Sequence, residues 1–85
     1  MIRHIVLFKI VNPKNNILRV MDFLNILPEI EEVYHFKLQK DQDSILLYTE
    51  FESKAALKRY MEHEIHSYVK RNTELMIEEK KVFDL

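Results

Sequence analysis

The chain has 85 residues, 13 lysines and arginines against 14 acidic residues, a formal net charge of −1, and neither glycine nor cysteine. The absence of glycine excludes phosphate-binding loops of the P-loop and Rossmann types, and the absence of cysteine excludes disulfides and thiolate metal ligands. The charge is close to balanced and the two signs are interspersed, which argues against an electrostatic grip on nucleic acid or on an anionic membrane.

The length predicts a single domain over residues 1–85. A chain this small buries only roughly 60–65% of its unfolded surface, so extra burial against a partner is expected. No apolar run approaches the roughly 20 residues that cross a bilayer. The first ten residues carry Arg3, His4 and Lys9 within the apolar stretch, which argues against a signal peptide. A cytoplasmic location is the expectation.

The first predicted strand covers residues 2–11, which are dense in β-branched and aromatic types. Alternation gives two largely apolar faces, one with Ile2, His4, Val6, Phe8 and Ile10 and the other with Arg3, Ile5, Leu7, Lys9 and Val11. Such a pattern is typical of a strand that is covered on both sides. Asn12 and Pro13 then predict an N-cap and a first helical position, and one-sided apolar spacing extends this helix from about Lys14 to Leu27.

Pro28 ends the first helix, and two strands follow at residues 33–40 and 44–52, joined by the polar turn 41–43. Ser53 predicts the N-cap of a second helix that begins near Lys54. Its apolar stripe leaves open whether the helix breaks near His63. The last predicted strand covers residues 81–85.

The order β-α-β-β-α-β predicts an α+β, ferredoxin-like fold: a four-stranded antiparallel sheet with two helices on one face. Two helices cover only one side of the sheet, although strands one and three are apolar on both. The uncovered face predicts a homodimer in which two sheets meet as a barrel. An RNA-binding use of this topology is excluded because the third strand, S-I-L-L-Y-T-E-F-E, has neither glycine nor a basic residue.

The residues that could take part in acid/base chemistry are concentrated in the second helix, where His63 and His66 stand three apart and Tyr60 precedes His63 by three. One interpretation is an acid/base group with a phenol to orient it. The other is an ordinary solvated turn. A metal site using Glu62 or Glu64 lacks a third fixed ligand, so neither a metal nor another cofactor is predicted. His4, in the first strand, is either a hydrogen-bonded core residue or one that reaches the second helix.

Several segments occur in a fixed order, namely I-R-H-I-V-L-F-K, L-P-E-I-E-E-V, a third strand ending in F-E-S, Tyr60 with H-E-I-H, and V-F-D-L. Together they resemble the stress-responsive A/B barrel family of dimeric α+β barrels, along essentially the whole chain. The most specific part is Y-x-x-H-x-x-H followed about twenty residues later by V-x-D. The family pattern usually has proline where this chain has Glu64, and without that proline the helix would run on through His66.

The resemblance implies a ferredoxin-like monomer, a barrel dimer and a small apolar cavity between sheet and helices. A plant polyketide cyclase of the family uses a tyrosine and the second histidine of the motif, and these roles would fall on Tyr60 and His66. His4 and His63 would add polar, ligand-binding lining. We therefore expect a homodimer of uncertain biochemical role with a small apolar or aromatic ligand. The alternative is an acid/base enzyme, cyclase-like, that uses His66 and Tyr60.

Overall fold

A computed structural model describes all 85 residues. The strands are β1 (Ile2–Ile10), β2 (His35–Lys40), β3 (Ser44–Phe51) and β4 (Ile77–Asp84). The helices are α1 (Pro13–Leu24), α2 (Lys54–Glu62) and α3 (Glu64–Thr73), with 3₁₀ turns at Leu27–Glu29 and Glu74–Met76. The strands form one antiparallel sheet in the order β2-β3-β1-β4. The predicted ferredoxin-like α+β fold is confirmed.

The hydrophobic core lies between one face of the sheet and the helices. Along β1, His4, Val6, Phe8 and Ile10 are buried while Arg3, Leu7 and Lys9 are exposed, so the predicted alternation is confirmed. The buried apolar residues form one cluster: Val6, Phe8, Ile10, Ile17, Val20, Leu24, Leu27, Ile30, Ile45, Leu47, Phe51, Ala56, Tyr60 and Val69. Burial of each large apolar side chain contributes about 1.5–3 kcal/mol, so this layer supplies most of the fold's stabilisation.

The turn into α1 depends on Asn12, which has φ 46° and ψ 63° in the left-handed region. It is the only residue of the chain with positive φ, and asparagine tolerates this conformation better than most residues other than glycine. Pro13 occupies the start of the helix as predicted. The side chain of Asn12 makes no capping bond, however, and Asn16 Nδ2 instead donates to the Val11 carbonyl at 2.7 Å.

Two boundaries differ from the sequence prediction. The first helix ends at Leu24 rather than Leu27, and a 3₁₀ turn with Pro28 near its start follows. The last strand begins at Ile77, four residues before the predicted Lys81. Its polar run E-E-K-K has no strand-like alternation, and the segment is extended because its backbone pairs with β1 along nearly its whole length.

The opposite face of the sheet has no helix over it. We call the apolar residues there the open face; they are Ile5, Leu7, Leu46, Tyr48 and Phe83. In the register, Ile5 lies between Tyr48 and Phe83, and Leu7 lies beside Leu46. Leu7 is 37% exposed, Leu46 36% and Phe83 50%, so the uncovered surface expected from the strand patterns is present in the monomer.

Candidate functional site

A cavity of about 190 Å³ lies between the helices and the helix-facing side of β1, β3 and β4. Most of its wall is apolar, with Val6, Phe8 and Leu47 from the sheet and Leu24, Leu27 and Val69 from the helical layer. Its polar lining comes from the residues His4, Tyr60, His66, Lys70, Thr73, Glu74 and Lys80. A mostly apolar concavity with a few convergent polar groups is the usual form of a small-molecule site.

Tyr60 is the most deeply placed polar residue of this cavity. Its side chain is completely buried, because α2 turns it inward against Phe51 with the ring centroids 4.7 Å apart. The hydroxyl forms no hydrogen bond within the chain. Burial raises the pKa of Tyr60 well above the ordinary value of 10.0, so the group is a neutral donor. Buried hydroxyls are nearly always paired, which makes this one an exception that calls for an explanation.

His66 lies directly beside Tyr60. The two rings meet edge to face, with centroids 4.9 Å apart and planes at 71°. Burial lowers the pKa of His66 below 6.5, and the positive charges of Lys70 and Lys80 act in the same direction, as does His4. The imidazole is therefore neutral at neutral pH and has a lone pair with which to accept a proton or a hydrogen bond.

His63 lies at the junction of α2 and α3 and does not line the cavity. It separates α2 from α3 with an extended backbone, φ −68° and ψ 143°. Its Nδ1 accepts a hydrogen bond from the Ile65 amide at 3.0 Å and so caps α3. The expectation that Glu64, in place of proline, would let the helix continue through His66 is wrong. The alternative of a break near His63 is confirmed.

His4 completes the polar interior from the sheet side. It is buried, and its ring centroid lies 6.1 Å from that of Tyr60. The Nδ1 atom is in hydrogen-bond contact with Asp84 Oδ1 on the neighbouring strand β4. Because Asp84 occupies one ring nitrogen, Nε2 is the nitrogen that can interact with another group.

Of the predicted site residues, the fold brings Tyr60, His66 and His4 together and leaves His63 at the helix junction. Sequence reasoning did not assign Asp84, Lys70 or Lys80 to the site. Asp84 had a sequence signal, because it is the last residue of the V-x-D pattern, whereas the polar run around Lys80 had none. The register shows that Lys80, Val82 and Asp84 pair with Phe8, Val6 and His4 of β1, and residues that pair across strands share a face.

The geometry supports hydrogen bonding and proton transfer to a small molecule that contacts a phenol and a neutral imidazole. No three side chains among His, Asp and Glu come together in a way that could hold a metal ion. No helix has the length and hydropathy needed to span a membrane.

Fold and site together define a small ferredoxin-like α+β domain with an apolar cavity whose polar groups come from α2, α3 and the neighbouring strands β1 and β4. The profile of the Stress Responsive A/B Barrel Domain family matches residues 2–85, and the chain belongs to this family. Among curated proteins, none matches this sequence.

Several solved structures share the fold. A dimeric ferredoxin-like protein of unknown function from Thermobifida fusca superposes with a TM-score of 0.86 at 18% identity, covering 99% of this chain and 88% of that one. A dimeric protein of unknown function and ferredoxin-like fold from Bacteroides fragilis superposes with a TM-score of 0.81 at 23% identity, covering 99% of this chain and 93% of that one. A putative antibiotic biosynthesis monooxygenase from Nitrosomonas europaea superposes with a TM-score of 0.86 at 11% identity, covering 99% of this chain and 86% of that one. At these identities the likeness concerns the fold alone.

Proposed function

We propose that the protein is a homodimer in which each protomer binds one small apolar or aromatic molecule in the cavity between sheet and helices. The observation that carries this proposal is the unpaired, buried hydroxyl of Tyr60 in the cavity wall. An unsatisfied buried hydroxyl costs stability, and a ligand with an acceptor atom would supply the missing partner. We propose the cytoplasm as the place of action.

The size of the cavity limits the ligand. An apolar cavity of roughly 150 Å³ in another protein accommodates benzene, and the cavity here is about 190 Å³. A single ring with short substituents fits this volume, as does a short aliphatic chain. Nearby, His4 and His66 offer further hydrogen bonds to substituents on the ring.

The open face supports the dimer. Its neighbouring apolar side chains on three strands form a patch of the kind that monomeric proteins rarely leave in water. The same patch on a second copy is self-complementary about a two-fold axis. The structures from Thermobifida fusca and Bacteroides fragilis are both described as dimeric.

The dimer is tested by sedimentation equilibrium at micromolar concentration. We expect a dimer for the natural chain and a shift toward monomer for Leu7→Asp, which places a charge within the open face. Leu18→Asp is the matched control, because Leu18 is an exposed leucine on α1. A monomeric natural chain, or equal behaviour of the two variants, would contradict the proposed interface.

Ligand binding is tested by NMR titration of the natural chain with phenol, toluene and other single-ring compounds, observing the Tyr60 and His66 side chains. We expect saturable shifts at both residues and tighter binding of compounds with an acceptor atom. Tyr60→Phe should remove that preference, whereas Tyr34→Phe, at a residue 69% exposed, should leave it unchanged. Absence of any saturable shift at these residues would overturn the cavity proposal.

A second candidate is an acid/base enzyme acting on an aromatic or polyketide-like substrate, and the edge contact between His66 and Tyr60 favours it. Neutral His66 would accept the proton from a carbon next to a carbonyl, while the Tyr60 hydroxyl donates a hydrogen bond to that carbonyl oxygen. The resulting enolate carbon would attack a second carbonyl of the same molecule, and the alkoxide so formed would take up the proton, closing a ring.

The second candidate is distinguished by turnover. His66→Ala should abolish conversion of the substrate while the circular dichroism spectrum and cooperative unfolding remain. The rate should rise with pH and level off above the lowered pKa of His66, because only the neutral imidazole accepts a proton. Binding without turnover would contradict the enzyme candidate and leave ligand binding as the function. The ligand-binding role predicted for His63 stays a prediction, and we propose that His63 acts by positioning His66.

A further inference from the structure

The mouth of the cavity carries two lysines, Lys70 on α3 and Lys80 on β4. Lys80 is unusual because it pairs with buried Phe8 and therefore lies on the helix-facing side of the sheet. That side of a strand is normally apolar, and lysine is the residue type least expected there. Lys80 lines the cavity and is nevertheless exposed, on the edge strand β4. A lysine can combine the two by packing its aliphatic stem on apolar surface while its charged end stays in water.

Neither lysine has an acidic partner. The salt bridges of the structure are His4–Asp84, Lys9–Glu78 and Arg59–Glu32, and none involves Lys70 or Lys80. Glu74 also lines the cavity but lies beyond ion-pair distance of both amino groups. Asp84, the other carboxylate on this side of β4, is taken up by His4. The cavity mouth therefore has an excess of positive charge.

The two lysines also act on the interior. They contribute to the lowered pKa of His66, so their charges are felt at the ring that contacts Tyr60. An anion at the mouth would compensate this positive potential, and such an interaction is stronger beside a low-dielectric cavity than in bulk water. The cavity thus combines an apolar wall, the buried hydroxyl of Tyr60 and the two exposed lysines.

We propose that the natural ligand is a small apolar acid, a single ring or a short chain, whose body fills the cavity and whose carboxylate lies between Lys70 and Lys80. This inference rests on the proposed ligand-binding function and names the chemical class of the ligand. A neutral or cationic molecule of the same shape would leave both lysines uncompensated.

The test compares three probes of one shape, benzoate, benzamide and benzylammonium, by NMR titration of the natural chain at neutral pH and low salt. We expect benzoate to bind about three to ten times more tightly than benzamide, which lies within the range of two partly exposed ion pairs, and benzylammonium to bind most weakly. Raising the salt concentration should weaken benzoate binding and leave benzamide binding unchanged.

The variants Lys70→Met and Lys80→Met keep the aliphatic stems and remove the charges. Each should weaken benzoate binding about three-fold or more without affecting benzamide, and Lys80→Arg should restore the benzoate preference. Lys58→Met is the control, since Lys58 is exposed on α2 and does not line the cavity. If a variant fails to fold, the salt dependence of benzoate binding to the natural chain still tests whether the ligand is an anion.

The outcomes separate this inference from the proposed function. Equal binding of benzoate and benzamide, or stronger binding of benzylammonium, would overturn the anionic ligand while leaving the cavity as a binding site. If none of the three probes, nor a neutral single-ring compound, causes saturable shifts at Tyr60 or His66, the binding function itself fails and this inference with it.

Discussion

Removal of the Tyr60 hydroxyl is the sharpest perturbation that the site offers, because it separates stability from function. Tyr60→Phe keeps the ring and its contact with Phe51. It deletes one buried oxygen that has no partner in the chain. We therefore expect the variant to be more stable than the natural chain in the absence of ligand. A binding group that costs stability is a common feature of functional sites.

The magnitude follows from the cost of burying a polar group. An unsatisfied buried hydroxyl costs about 1–3 kcal/mol. Part of this cost is recovered by local relaxation, so we expect Tyr60→Phe to raise the free energy of unfolding by about 1 kcal/mol. For a domain of this size, 1 kcal/mol corresponds to a Tm increase of roughly 4–8 °C.

Thr49 provides the matched control. It is fully buried like Tyr60, but its Oγ1 donates to the His4 carbonyl at 3.1 Å. Thr49→Val should lower the free energy of unfolding by about 1 kcal/mol, because it removes a satisfied hydroxyl and leaves a carbonyl acceptor with one partner fewer. The two hydroxyl deletions thus have opposite signs.

The assay is urea unfolding followed by circular dichroism, with all proteins at one concentration because a dimer's stability depends on concentration. Addition of a saturating single-ring ligand with an acceptor atom should stabilise the natural chain more than Tyr60→Phe. A loss of 1 kcal/mol or more in Tyr60→Phe without ligand would show that the hydroxyl is hydrogen-bonded in solution, and it would refute the reasoning.

Three further predictions concern the helix junction and its histidines. Glu64→Pro should change the free energy of unfolding by less than about 1 kcal/mol. Proline is favourable at the first position of α3, and this gain offsets the loss of the favourable negative charge at the start of the helix. A large loss of stability in urea unfolding would contradict the observed break. His63→Ala should lower the free energy of unfolding by about 0.5–2 kcal/mol, because it removes the side chain that accepts from the Ile65 amide. His63→Asn should keep most of this stabilisation, since asparagine is also an N-cap residue; equal losses for the two variants would argue against capping. The lowered pKa of His66 means that the unfolded chain binds the proton first, so stability should fall as pH drops below about 6.5. His66→Phe should flatten that part of the pH dependence, and an unchanged slope would contradict the shift.

The elements of the fold were accessible from the sequence because local patterns report which side of an element is buried. The alternation along β1 predicted two apolar faces, and the one with His4, Val6 and Phe8 is the buried, helix-facing side. Ser53 was predicted as an N-cap, and its side chain accepts a hydrogen bond from the Ala56 amide. The start of β4 could not be read in the same way, since Glu78, Glu79 and Lys80 carry no alternation and are extended through pairing with β1.

The site depended on tertiary structure to a greater degree. Spacing alone grouped Tyr60, His63 and His66, because residues three apart share a helix face. The backbone break at His63 removes that relation, so His66 turns toward Tyr60 while His63 caps the helix. His4 and Asp84 are eighty positions apart and meet only because β1 and β4 are neighbours in the sheet. Periodicity carries information over one or two turns of chain, whereas the distances between elements, the burial of Tyr60 and the resulting pKa shifts arise only when separate segments pack together.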